Sequence, residues 1–116
     1  MTNETIRGYF DALGRHDGWE AFLAEAMTFT SFASPMKQLA GKAMYLQATK
    51  RFYSMIASVQ LRGLIVDGDK ACALTRYELQ PPGGDRFTSD VAELFTVKEG
   101  KIDSFGIYFD TAPYPK

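Results

Sequence analysis

Three stretches of the chain carry apolar residues at the spacing of an α-helix. The first predicts a helix over residues 4–14, whose buried face would hold Ile6, Tyr9, Phe10 and Leu13. After a polar turn the spacing returns and predicts a short second helix, carried by Trp19, Phe22, Leu23 and Ala26. The longest helix is predicted over residues 41–56, with an apolar stripe of Met44, Ala48, Phe52, Met55 and Ile56.

Alternating apolar and polar residues predict strands elsewhere. One begins at Met27 and ends at Ser34 and Pro35, and four more cover residues 58–66, 70–80, 86–97 and 101–110. Because short turns rich in Gly, Asp and Pro join the last four strands, these must form an antiparallel meander. The last six residues, which include Pro113 and Pro115, predict a tail that is ordered only by docking. The chain therefore reads as one α+β domain over residues 1–116, with three N-terminal helices on one face of an antiparallel or mixed sheet.

Composition and charge narrow the functions open to this chain. It has one Cys and one His in 116 residues, so neither an internal disulfide nor a zinc site with four His and Cys ligands can form. Thirteen basic and 14 acidic residues give a formal charge of −1, which offers no general attraction to nucleic acid or to an anionic membrane. With a single thiol and no signal-peptide or membrane-span pattern, the chain is expected to be cytoplasmic, without metal or cofactor.

The order of the elements and a closing motif resemble the SnoaL-like branch of the nuclear transport factor 2-like superfamily. The most specific stretch is residues 93–110, where Gly100-Lys101-Ile102 and Tyr108-Phe109-Asp110 reproduce the pattern of that branch. Residues 41–55 and the hairpin 64–71 add to the resemblance, which covers almost the whole chain. It implies a cone-like α+β fold, in which a curved sheet wraps around the long helix and leaves an apolar pocket open at one end.

The superfamily includes steroid isomerases, polyketide cyclases, epoxide hydrolases and dehydratases, together with members that only bind a ligand or only dimerise. The resemblance implies a pocket for a small apolar ligand or substrate and a homodimer formed through the sheets. Because the fold alone assigns no activity, two hypotheses stay open. One is an enzyme that abstracts or transfers a proton on a small apolar carbonyl compound, by isomerase, cyclase or dehydratase chemistry. The other is a non-catalytic module for ligand binding or dimerisation.

Asp110 is the first catalytic candidate, because the resemblance places it where SnoaL-like cyclases carry a general base. A carboxylate can remove a proton next to a carbonyl when an apolar pocket raises its pKa and a donor stabilises the enolate. Glu93 or Tyr108 would then be its hydrogen-bonding partner. In a regular strand, however, Phe109 would face the core and Asp110 the opposite side. The alternative is a strand-terminal Asp that binds nearby backbone amides.

Glu93 is the second candidate, because strand alternation places it with Val91 and Phe95 on an otherwise apolar face. The resemblance aligns it with the acidic residue that steroid isomerases use as a hydrogen-bond donor, a role that requires a raised pKa. The alternative is a surface or interface position, where Glu93 pairs with Arg76 or Arg62 across the sheet.

Steroid isomerase activity itself does not transfer to this chain. Phe10 stands at the position of the helix-1 tyrosine, and the position of the base falls within residues 31–34, which hold no carboxylate. The predicted ligand pocket is lined by Tyr9, Phe10, Trp19, Phe29, Phe52, Met55, Phe95 and Phe109. At helical or strand spacing, such side chains also form ordinary core.

Overall fold

Two α-helices and six strands make up the part of the chain that the computed structural model describes, residues 1–33 and 36–114. The elements follow in the order α1 (Thr2–Gly14), β1 (Leu23–Ser31), β2 (Lys37–Ala40), α2 (Lys42–Ser54), β3 (Ile56–Asp67), β4 (Lys70–Leu79), β5 (Phe87–Lys98) and β6 (Lys101–Phe109). A 3₁₀ turn, Trp19–Phe22, lies between α1 and β1. The α+β class is confirmed.

The six strands form one mixed sheet in the order β2-β1-β6-β5-β4-β3. Strands β3 to β6 are the predicted antiparallel meander, in which Glu93 of β5 lies between Ala73 of β4 and Ile107 of β6. Strand β1 joins the free side of β6 in parallel, and β2 folds back on β1. The N-terminal part of the chain therefore extends the sheet as well as covering it.

The prediction of three N-terminal helices is wrong. The segment predicted as the second helix forms only the four-residue turn Trp19–Phe22, and Leu23 already pairs with Ile102 of β6. Sheet pairing overrides the helical spacing here, because Leu23 becomes buried as a strand residue. Strand β2 was not predicted, since residues 37–40 show no apolar alternation. The predicted strand end at Ser34 and Pro35 lies outside the described residues, as does Pro115.

The face of helix α2 that packs on the sheet is not the one predicted from its apolar stripe. Tyr45 is buried, and Thr49, Phe52 and Tyr53 lie on the same side, whereas Met44 is 54% exposed. The buried face carries hydroxyl groups, so the pattern of hydrophobic residues alone predicts the wrong face of the helix to be buried.

The core lies between the two helices and one face of the sheet, which we call the inner face. The predicted face of α1 is buried there, with Ile6, Tyr9, Phe10 and Leu13 all at most 5% exposed. Burying one such side chain contributes about 1.5–3 kcal/mol. The opposite, outer face keeps exposed apolar side chains, namely Phe32, Leu74, Leu94 and Tyr108. Within the described residues, no helix has the length and apolar character needed to cross a membrane.

Candidate functional site

A cavity of about 110 Å³ lies between α2 and the inner face of the sheet. Its wall is mostly aromatic and consists of Phe29, Tyr45, Thr49, Phe52, Tyr53, Tyr77, Val91, Glu93, Phe105, Ile107, Phe109 and Tyr114. An apolar cavity of about 150 Å³ binds benzene in another protein, so the volume of this space is on the scale of a single small ring.

Glu93 is the carboxyl group in this wall, and it is 2% exposed. Thr75 Oγ1 lies 2.6 Å from Glu93 Oε2, and the Tyr77 hydroxyl donates to the same oxygen at 2.8 Å. Burial raises the pKa of Glu93 to about 7, although both hydrogen bonds act to lower it. Among the described residues, both of these hydrogen bonds go to Glu93 Oε2 and none goes to Oε1.

The contacts of Thr75 suit both protonation states of Glu93. The Thr75 hydroxyl has one hydrogen and two acceptors in reach, Glu93 Oε2 at 2.6 Å and the Val91 carbonyl at 3.2 Å. It can donate to Glu93 while that group is ionised. Once Glu93 is protonated, Glu93 can donate to Thr75, and Thr75 can turn its hydrogen to Val91. A proton can therefore be added or removed here without leaving a buried polar group unpaired.

The alternative pairing of Glu93 with an arginine is wrong. Arg76 points to the outer face, where its Nε and Nη2 donate to the two carboxylate oxygens of Asp90 at 2.7 and 3.1 Å. These bonds lower the pKa of Asp90, and the charge of Arg62 adds to the effect. Both arginines thus act on the outer face, so Glu93 has no cationic partner among them.

Three tyrosines form a hydrogen-bonded chain beside the cavity. The hydroxyl of Tyr9 in α1 lies 3.0 Å from that of Tyr53 in α2, and Tyr53 also bonds the hydroxyl of Tyr45. Burial raises the pKa of all three well above the usual range for tyrosine. They therefore remain neutral, and each keeps a hydrogen to donate at physiological pH.

One of these hydrogens is left over for a ligand. Three hydroxyls carry three hydrogens, and the two bonds of the chain use two of them. Tyr9 is fully buried and is no part of the cavity wall, whereas Tyr45 and Tyr53 line it. Either atom can donate in each bond, so the third hydrogen can lie on any of the three tyrosines, and on Tyr45 or Tyr53 it would be next to the cavity. The cavity thus has tyrosine side chains on its helical side and a carboxyl on its sheet side.

The model of the SnoaL-like domain family matches residues 6–105 of this sequence. The chain belongs to the SnoaL-like family. No curated protein matches it. Solved structures share its fold at identities below 25%, which establish the fold and not an activity.

Three of these structures illustrate the range of the fold. A proposed SnoaL-like polyketide cyclase from Jannaschia sp. CCS1 is 19% identical at a TM-score of 0.80, with 99% of this chain and 93% of that one covered. A protein with a ketosteroid isomerase-like fold from Catenulispora acidiphila DSM 44928, in complex with trimethylamine, is 18% identical at 0.78, with 97% and 90% covered. A nuclear transport factor 2-like protein of unknown function from Cytophaga hutchinsonii is 21% identical at 0.76, with 97% and 93% covered.

The SnoaL-like domain separates the three residues predicted for catalysis. Asp110 follows the end of β6, is exposed, and accepts a hydrogen bond from the Ala112 N–H at 2.9 Å through Oδ1. Tyr108 is 49% exposed on the outer face, where its ring stacks on Phe32 with 4.6 Å between the centres. Neither residue lines the cavity, so Glu93 is the member of the three that is placed there.

Three of the eight predicted pocket residues line the cavity of this SnoaL-like protein: Phe29, Phe52 and Phe109. The other five pack in or against the core outside the cavity wall: Tyr9, Phe10, Trp19, Met55 and Phe95. Tyr9 still reaches the site through its hydroxyl.

Sequence reasoning missed several hydroxyl groups of the site. Tyr45, Thr49 and Tyr53 recur at i, i+4 and i+8 along α2, a stripe of hydroxyl side chains that could have marked the cavity side. Tyr77 has the strand parity of Thr75 in β4, the same face as Glu93 in the neighbouring strand. Tyr114 left no comparable signal, because it lies in an irregular tail.

The tyrosine chain supports the fold as well as the site. We expect Tyr53→Phe to lower the free energy of unfolding by about 1–3 kcal/mol, because the hydroxyls of Tyr9 and Tyr45 lose their common partner. Urea denaturation measures this, with Tyr108→Phe as the matched control. The control removes an exposed hydroxyl and should change the free energy by less than about 0.5 kcal/mol. Equal losses in the two variants would contradict a structural role of the chain.

Proposed function

We propose that this SnoaL-like protein transfers a proton at the carbon next to the carbonyl group of a small apolar compound. The observation that carries the proposal is the placement of Glu93, a buried carboxyl with a pKa of about 7, in the wall of an aromatic cavity. A carboxyl with such a pKa is ionised in part at neutral pH and is a stronger base than an exposed one. Tyr45 and Tyr53 belong to the wall of the same cavity.

In the proposed reaction Glu93 is the base. Its carboxylate takes a proton from the carbon next to the carbonyl, and the negative charge moves to the carbonyl oxygen. The spare hydroxyl hydrogen of Tyr53 or Tyr45 then stabilises that oxygen. In a β,γ-unsaturated carbonyl compound, protonated Glu93 then returns the proton to the γ-carbon while the double bond moves into conjugation with the carbonyl, which completes an isomerisation without a co-reactant. Oε1 takes up and returns the proton, while Thr75 and Tyr77 keep their hydrogen bonds to Oε2.

This assignment reverses the roles that the resemblance implied. There Asp110 was the base, and Glu93 was a partner. The proposal gives Glu93 the role of the base because Asp110 is exposed and its carboxylate accepts a backbone hydrogen bond in the turn after β6.

The second candidate function is ligand binding without turnover. It is favoured by the pairing inside the domain: among the described residues, no side-chain nitrogen or oxygen that is completely enclosed by protein lacks a hydrogen-bonding partner. When the polar groups of a cavity form hydrogen bonds with one another, the cavity can bind an apolar ligand through the fit of the ligand's shape alone. The two candidates differ in whether a bound carbonyl compound exchanges its protons.

Deuterium exchange distinguishes the two candidates. Cyclopentanone and butanone fit the cavity volume, and each carries exchangeable protons next to its carbonyl. We expect the protein in D₂O to speed the loss of these proton NMR signals over buffer alone, with a rate that rises with pH and levels off above about pH 7, where Glu93 is ionised. Binding of either ketone with no gain in exchange would overturn the enzyme proposal in favour of the second candidate.

We also propose that two chains pair through their outer sheet faces. Support comes from the exposed apolar side chains of that face, among them Leu74, Leu94 and Tyr108. Sedimentation at micromolar concentration should give a particle of twice 13.0 kDa. Leu94→Glu should give the 13.0 kDa particle, because a charge at the face cannot be buried without a partner. A wild-type particle of 13.0 kDa would rule out the pairing.

A further inference from the structure

We propose that Tyr114 closes one side of the cavity and thereby sets the size of the ligand that the cavity admits. The inference rests on the proposed use of this cavity for a small ligand. Tyr114 belongs to neither a helix nor a strand, yet its side chain is part of the cavity wall. Tyr114 is half-buried, so one part of its side chain faces solvent while another part belongs to the cavity wall.

Two kinds of contact hold the ring of Tyr114 in this place. Its hydroxyl lies 2.8 Å from Ser89 Oγ, and Ser89 is 1% exposed on the inner face of β5. The ring also packs on Phe87 and Phe109, with centre-to-centre distances of 5.0 and 5.1 Å. One side-chain hydrogen bond and two ring contacts favour this position of the ring, and each contributes only a modest stabilisation.

The backbone before Tyr114 is folded so that the ring points back to the sheet. Asp110 Oδ1 accepts from the Ala112 N–H at 2.9 Å, and the Tyr114 N–H donates to the Thr111 carbonyl at 3.1 Å. These two bonds turn the chain just after β6 ends. Asp110, the residue first predicted as the base, is on this view a positioning residue for Tyr114.

The size limit follows from the volume. With Tyr114 in place the cavity holds about 110 Å³, which suits one small ring and excludes two fused rings. Removing the phenol side chain would open the space between Phe87 and Phe109 to solvent. A larger ring system could then extend past the position of Tyr114 while keeping its polar end near Glu93.

Two fluorinated phenols test this inference by fluorine NMR. 4-Fluorophenol has one ring, and 6-fluoro-2-naphthol has two. We expect the wild-type protein to bind the naphthol at least tenfold more weakly than the phenol. In Tyr114→Ala the affinity for the naphthol should rise at least tenfold, whereas the affinity for the phenol should stay equal or fall.

Milder variants separate closure from folding. Tyr114→Phe and Ser89→Ala each remove one side of the hydrogen bond and keep the ring, so each should raise the affinity for the naphthol two- to tenfold. The matched control is Thr88→Ala, which removes the neighbouring hydroxyl on the exposed side of β5, where it bonds Glu78. The control should bind both probes as the wild type does.

The inference is overturned if the naphthol binds the wild type and Tyr114→Ala equally, or if neither protein binds either probe. It is also overturned if Thr88→Ala changes the binding of the naphthol as much as Ser89→Ala does. The readout is binding of unreactive probes, so it does not depend on turnover. If the protein discriminates between the probes but does not speed the exchange of ketone protons, this inference stands and the proposed reaction is overturned.

Discussion

Replacing Glu93 with Gln should slow the exchange of cyclopentanone protons by about 10²- to 10⁴-fold, the usual contribution of a general base. The amide keeps the volume of the side chain, and its oxygen can accept the hydrogen bonds of Thr75 and Tyr77. It cannot take up a proton at neutral pH. The fold and the cavity should therefore persist while the chemistry is lost, which proton NMR in D₂O measures directly.

Asp90→Asn is the matched control for this variant. Asp90 lies on the same strand as Glu93 but on the outer face, where it pairs with Arg76. Its loss should leave the exchange rate within about twofold. The variant Asp110→Asn decides between the two bases: unchanged exchange in Glu93→Gln together with lost exchange in Asp110→Asn would return the role of the base to Asp110.

The free energy of unfolding should fall by about 3 kcal/mol as the pH rises from about 4.5 to above 7, through Glu93 alone. In the folded protein its pKa is about 7, against 4.5 for an ordinary Glu. Below pH 4.5 both the folded and the unfolded states hold the proton, so the stabilising effect is complete. Between the two values only the folded state holds it, and unfolding releases it. Each pH unit of this window costs about 1.4 kcal/mol, and the effect is lost once the pH passes the folded pKa.

Urea denaturation between pH 4 and 8 measures this effect as the difference between the wild type and Glu93→Gln. The subtraction removes the other titrating groups that the two proteins share. We expect the free energy of unfolding of Glu93→Gln, minus that of the wild type, to be larger at pH 8 than at pH 4. The Asp90→Asn variant should keep the wild-type fall through this window, because it retains Glu93. Parallel pH profiles for the wild type and Glu93→Gln would show that Glu93 is not buried as an acid.

The part of the fold that sequence patterns predicted well is the part where local and tertiary preferences agree. Strands β4 to β6 and helix α1 have strong alternation or helical spacing, and each buries the face that its pattern indicates. The segment after Trp19 has helical spacing too, but its residues gain more from pairing with β6 than from a second turn of helix. Whether this segment forms a helix or a strand depends on β6, which is about 80 residues away along the chain. A local sequence pattern carries no information about that pairing.

The candidate site shows the same division. Strand parity placed Glu93 on an apolar face, and the structure gives the reason in the cavity that it lines. Parity also set Asp110 opposite Phe109, and here the strand rule was a better guide than the resemblance. The face of α2 was misjudged because tyrosine and threonine hydroxyls resemble a solvated surface in a hydrophobicity pattern. These hydroxyls can be buried because they form hydrogen bonds within the protein. The sequence pattern does not show these hydrogen bonds, because they form only when the helix packs in the fold.

The titration of the Glu93 carboxyl by carbon NMR tests the central claim most directly. Glutamate labelled at the side-chain carboxyl gives one signal for each Glu, and the spectrum of Glu93→Gln identifies the signal of Glu93. We predict a midpoint near pH 7, raised by burial in the cavity wall. A midpoint near 4.5 would show that water reaches the carboxyl, and the account of Glu93 as the proton-transferring group of this cavity would fail.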